Sequence, residues 1–192
     1  NHIMPRKRKT PSQLIGAELL QSDFVVNNTT KTFHTPAVEK IMNEAMPLLR
    51  AGKGTQVEIL FRKALTLEPV KPDLLNNLAQ ALEIQGLKED SLCISEAILI
   101  LFPDYLFART ALAHASIHDG GYEDALDLLT PLFSRREFHV SEYNALCSAL
   151  IELSLLTNQY HSARIWFDTW SQPDPKNSQL DVYRELLQKI NA

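Results

Sequence analysis

The sequence predicts an all-α protein, an α-α superhelix of three to four helix-turn-helix repeats with a flanking helix at each end. Three observations predict it. Gly52, Gly86 and Gly120 stand 34 residues apart. Ala45, Ala79 and Ala113 keep the same interval, as do Leu48 and Leu82. Ala64, Ile98 and Leu132 form a further apolar column, and Pro69 recurs as Pro103. A fixed period of this length marks a stacked repeat, in which each helix pair buries its apolar face only against its neighbours.

The chain divides into four stretches: a basic tail (1–11), an N-terminal helix and loop (12–35), the repeat domain (36–177) and a capping helix (178–192). Asn1-His2-Ile3 read as a cloning remnant ahead of Met4, and Pro5-Arg6-Lys7-Arg8-Lys9 as a solvated tail. Ser12 to Gln21 carries apolar residues at helical spacing, and Asn27 to Lys31 reads as a polar loop. Thr35-Pro36 starts a helix, with Thr as N-cap and Pro at the first helical position. That helix runs to about Ala51, and Pro47 inside it should kink it or shift its hydrogen-bond ladder. Its partner is expected to begin at a capping box, Thr55 to Glu58, and to end near Pro69.

The second unit runs from Pro72 through Gly86 to Pro103. The apolar end of its second helix (Ile98, Leu99, Ile100, Leu101) is expected to pack under the next unit. The third unit runs from Asp104 through Gly120-Gly121 to Arg136, with Tyr122, Ala125, Leu126 and Leu129 as the buried face of its second helix. After Arg136 the register slips by about four residues: Ala163, Phe167, Trp170 and Pro175 repeat the spacing of Ala125, Leu129, Leu132 and the proline slot. A fourth unit is therefore expected, with either a longer first helix from Ser141 to Leu156 or a short spacer before it. Trp166 and Trp170, one turn apart, read as core. Ser178 to Asp181 has the form of a helix cap, and Leu180, Tyr183, Leu187 and Ile190 would face the open end of the stack.

The pattern resembles the tetratricopeptide repeat, a 34-residue helical hairpin. Counted from Val38, the matches are Ala45, Gly52, Phe61, Ala64 and Pro69. Counted from Pro72 they are Leu78, Ala79, Gly86 and Pro103, and from Leu106 they are Leu112, Ala113, Gly120, Tyr122 and Ala125. The usual early aromatic is replaced by Ile41, Leu75 and Arg109, and Glu137 fills the third proline slot. The resemblance implies a solenoid whose first helices line a concave groove. By family position the groove residues are Glu39, Met42, Met46 and Arg50, then Asp73, Asn76, Asn77, Gln80 and Glu83, then Phe107, Thr110, His114 and His118. Asparagines suit a peptide backbone, and Met and Phe an apolar side chain. The family's clamp for C-terminal carboxylates needs basic residues where Met42, Phe107 and Ala111 stand, so the resemblance does not extend to that clamp.

Composition narrows the function. Arg6, Lys7, Arg8 and Lys9 hold four of the 19 basic residues, leaving 15 against 23 acidic ones, a balance of −8. An acidic body repels phosphate backbones, so nucleic acid is not the expected partner, although the basic tail leaves a nuclear address or anion-binding arm open. No apolar run approaches the roughly 18 residues of a membrane span. The polar residues Gln13, Glu18, Gln21 and Asp23 argue against a secretory signal. Cys93 and Cys147 match no disulfide framework or metal spacing, and both read as buried hydrophobes in a reducing, cytoplasmic setting.

No phosphate loop, nucleophile elbow or HExxH motif is present, so no enzyme activity and no cofactor is expected. The leading expectation is a non-enzymatic adaptor that binds a protein or peptide in its groove. Two alternatives stay open: a secretion-type chaperone or self-associating scaffold, and a metal-dependent regulator using His114 and His118. That histidine pair is one turn apart but shows no third ligand in the sequence.

Overall fold

The computed structural model describes residues 24–190. The expected helix from Ser12 to Gln21 and the basic tail lie outside the described residues. The described chain is all-α and repeat-like, with nine α-helices and one pair of three-residue strands. It divides into two compact units: 29–112, and a second formed by 113–190 with the segment up to Asn28.

The unit 29–112 holds two helix pairs. The first is α1 (Pro36–Arg50) with α2 (Gly54–Leu67), and the second is α3 (Pro72–Ile84) with α4 (Lys88–Leu101). Helix α5 (Leu106–His118) begins in this unit and continues into the other. Along these four helices, α1 packs on α2, α2 on α3 and α3 on α4. The core joins Val38, Ile41, Ala45 and Leu49 of α1 to Val57, Phe61 and Ala64 of α2 and to Leu74, Leu78, Ala81 and Leu82 of α3. The same core holds the small side chains of Ala45, Ala64 and Ala81 and the large ring of Phe61, and small beside large is how helices approach closely at interior density. Gly54 marks the tightest approach: a Cβ there would stand 2.8 Å from the Ala81 carbonyl oxygen.

Thr35 caps α1 as expected, its Oγ1 accepting the Val38 N–H at 3.4 Å. Pro47 is carried inside α1 without ending the helix, and Ala51 N–H still bonds to its carbonyl at 3.0 Å. The capping box at Thr55 does not form. Lys53 is the N-cap and makes no side-chain cap bond, so Thr55 sits inside the first turn, where its hydroxyl reaches Gln85 Oε1 at 3.3 Å. The turn leaving Gly52 delivers the chain into helix two residues early, with Lys53 and not Thr55 as N-cap, and that overrides the local capping signal. The expected burial at the end of α4 is also corrected. Ile98 is buried, but Ile100 and Leu101 are 81% and 55% exposed. Cys93 is exposed, contrary to expectation, and Cys147 is buried.

The other unit contains α6 (Tyr122–Leu129), a 3-10 turn (Thr130–Ser134), α7 (Val140–Leu156), α8 (Tyr160–Ser171) and α9 (Leu180–Ile190). Strand β1 (Val25–Asn27) pairs in parallel with β2 (Glu137–His139), Val26 opposite Phe138. Asn27 thus belongs to a strand and not to the expected loop. Phe24 sets its ring edge-on to Phe138, with centroids 5.8 Å apart. Helix α7 is the centre of this unit, burying Tyr143, Leu146, Cys147, Leu150 and Leu153. Trp166 and Trp170 of α8 are core residues, and Trp166 stacks on Phe133 at 6.0 Å. Of the face expected on α6, Ala125, Leu126 and Leu129 are buried and Tyr122 half-buried. Helix α9 buries Leu180 and Leu187 but leaves Ile190 37% exposed. Its entry is turned by Asn177, whose Oδ1 accepts the Gln179 N–H at 3.0 Å, beside the site assigned to Ser178.

The period has one structural origin. After α1, α3, α5 and α7 the chain closes with the same two bonds. Gly52 N–H goes to Leu49 and Lys53 N–H to Leu48, Gly86 to Glu83 and Leu87 to Leu82, Gly120 to Ile117 and Gly121 to Ser116, and Asn158 to Leu155 and Gln159 to Ser154. This cap requires a left-handed residue, and φ is +71°, +79° and +79° at the three glycines. Asn158, at φ +59°, fills the fourth slot four residues late. The slip comes from the 3-10 turn and β2, which separate α6 from α7. Pro131 stands near the start of that turn, where it cannot donate the next helical hydrogen bond.

Candidate functional site

The residues assigned to the groove fall in both units, and each unit presents its own set. In the unit 29–112, Glu39 and Arg50 are exposed on α1, and Met42 and Met46 are half-buried beside the core. On α3, Gln80 and Glu83 are exposed and Asn77 is half-buried. These seven remain open to a ligand. Asn76 does not, being only 7% exposed. Thr110 is 4% exposed, and its hydroxyl donates back to the Phe107 carbonyl at 3.1 Å. Both were assigned by repeat position, but helical rotation turns them inward. Phe107 is half-buried, its ring edge-on to Tyr105 at 5.8 Å.

Asp73 is already engaged. Its Oδ2 lies 2.6 Å from His34 Nε2, and His34 Nδ1 lies 2.5 Å from Glu68 Oε2. Glu68 also accepts the Thr35 N–H through Oε1 at 2.8 Å. The imidazole is 5% exposed. Burial disfavours its charge, but the bonds to Glu68 and Asp73, reinforced by their charges, raise its pKa above the usual value. Glu68 is correspondingly lowered, first by the Thr35 backbone bond and then by His34. His34 and Glu68 escaped sequence reasoning, yet one signal was present: they are one period apart. Residues one period apart occupy equivalent places on successive units.

In the other unit, the two histidines are joined by a third group. Glu152 of α7 sets Oε2 2.5 Å from His114 Nδ1 and Oε1 3.4 Å from His118 Nε2. Glu152 follows His114 by 38 residues, one period plus the four-residue slip, and is its fourth-unit counterpart. The hydrogen bond to His114 lowers the Glu152 pKa against its partial burial, helped by the charges of both histidines. The carboxylate uses both oxygens on the histidines, and among the described residues no three His, Cys, Asp or Glu side chains are placed to hold a metal ion. No described helix is long and apolar enough to cross a membrane.

Burial raises the Cys147 thiol and the Tyr143 phenol well above their usual ranges, so neither is poised for nucleophilic chemistry. Tyr143 instead donates to the Thr169 carbonyl at 2.7 Å. No protein-family model matches this chain, and no curated protein sequence matches it.

Proposed function

We propose that this chain is a non-enzymatic protein–protein interaction module of the tetratricopeptide kind, which binds a peptide or partner protein along the first helices of its repeats. The observation that carries this reading is the identical two-bond cap closing α1, α3, α5 and α7, which gives each of these helices the same exit turn. Met42, Met46, Asn77 and Gln80 supply an apolar seat beside amide groups suited to an extended backbone. The test is a peptide array probed with the intact chain, followed by fluorescence anisotropy on a retained peptide. Truncating an anchor costs about 1 kcal/mol or more, so Met46→Ala with Asn77→Ala and Gln80→Ala should weaken binding by at least about tenfold. Helicity should be unchanged. A chain that retains no peptide, or a triple variant that binds as well as the native chain, would remove this reading.

A second reading, self-association of a chaperone or scaffold, draws on the exposure of Ile100 and Leu101 at the end of α4. Light scattering decides it: Ile100→Lys should dissolve an oligomer, and a concentration-independent monomer removes the idea.

A further inference from the structure

We propose that the segment Thr29–Thr35 is a proton-locked strap, held on the first two helix pairs by a doubly charged-bonded imidazolium at His34 and released when that ring loses its proton. The argument begins with counting hydrogens. Both ring nitrogens face carboxylate oxygens, at 2.5 and 2.6 Å. A neutral imidazole carries one N–H, and an ionised carboxylate carries none, so two such contacts need a ring with both nitrogens protonated. The ring is 5% exposed, with Glu68 and Asp73 side chains at 11% and 20%, so water does not replace a lost bond easily.

The anchors come from different elements. Glu68 follows α2 as its C-cap, and Asp73 lies in the first turn of α3. One ring therefore staples the strap to the end of the first helix pair and the start of the second. Two further bonds run alongside: Thr35 N–H to Glu68 Oε1 at 2.8 Å, and Lys71 Nζ to the Phe33 carbonyl at 3.5 Å. The charged groups acting on the ring are Glu68 and Asp73, both opposite in sign, and Lys71 reaches the strap backbone beside it. Outside the ring, Thr29, Thr30, Lys31, Thr32 and Phe33 are exposed, with Phe33 at 81%. Little apolar burial holds the strap, and the buried ring with its two carboxylates is its most enclosed attachment. The strap also occupies Asp73, so its release would free that carboxylate at the edge of the candidate binding face.

The sign follows from the direction of the shift. The ring's pKa is raised on the folded protein from the ordinary 6.5. The staple is complete below 6.5 and is lost as pH rises through the higher, folded value. On the acid side, protonation of Glu68 below its ordinary 4.5 undoes the same contact. The strap is thus closed in a window between the two.

The experiment uses the full chain. Hydrogen exchange of 29–35 is followed by mass spectrometry from about pH 5.5 to 9, corrected for intrinsic exchange. Strap protection should be constant below 6.5 and then fall by up to about tenfold per pH unit, levelling above the folded pKa. Protection in α1 and α2 should not follow it. His34→Gln should abolish the pH dependence. The ring-nitrogen NMR shifts of the native protein give a measurement that needs no variant, and should report a doubly protonated His34 at pH 6.5. A neutral ring there, or strap protection that ignores pH, would overturn the proposal, as would an unchanged slope in His34→Gln. Peptide binding plays no part in these readouts, so they stand apart from the test of the adaptor reading.

Discussion

The close approach of α2 and α3 can be tested through Gly54. An alanine there places its Cβ 2.8 Å from the Ala81 carbonyl oxygen, 2.8 Å from Gln85 Cγ and 3.1 Å from Ile84 Cγ2. The first contact is backbone within a helix and cannot swing aside. The second is a flexible side chain, but Gln85 is tied by its Nε2 to Glu58 at 2.7 Å and to the Ala81 carbonyl at 3.1 Å. Forcing the helices apart at such a contact costs about 1–3 kcal/mol. Alanine's better helix propensity returns about 0.5–1 kcal/mol, less at a first-turn position. The net expectation is a loss of about 1–2 kcal/mol, or about 2–8 °C in Tm for a chain of this size. Urea and thermal melts followed by far-UV circular dichroism measure it. Gly52→Ala is the control: nothing lies within 4 Å of its added Cβ, but φ is +71°. Its cost is therefore conformational alone, about 1–2 kcal/mol. A Gly54→Ala protein as stable as the native chain, or more stable, would refute the packing argument, because the added Cβ would then cost no more than alanine's helix propensity returns.

Other outcomes follow from single sites. Asn158→Gly should stabilise the protein by about 0.5–1 kcal/mol in the same melts, since it relieves a left-handed non-glycine residue at the fourth cap. Mass spectrometry after alkylation should find one modified thiol in the native protein, at Cys93, and a second at Cys147 only in denaturant. Glu152 has a lowered pKa, so its contribution is present above 4.5 and lost as pH falls through the folded value. Glu152→Gln should therefore flatten the acid limb of the stability curve, as read from urea midpoints between about pH 2 and 5.

The helices were legible from the chain because helical turns and caps are local. Thr35-Pro36 placed the start of α1, the glycines placed three of four caps, and the late recurrence of Ala163 and Trp170 located the fourth pair. Misreadings arose where a neighbour decided the outcome. Thr55 has the residue type of a cap, yet the turn at Gly52 sets where α2 begins. Asn76 and Thr110 stand at positions expected to face a ligand, yet both are buried. The apolar end of α4 promised burial, but only Ile98 is covered.

Period, pairing and the left-handed caps belong to the amino-acid order, because each depends on residues within a few positions of one another. The ion clusters belong to the tertiary structure. His34 meets Glu68 and Asp73, and Glu152 meets His114 and His118, only once segments distant in the chain are folded together. Charged contacts of this kind act over a few ångströms, and no local preference along the chain encodes which distant carboxylate will come within that range.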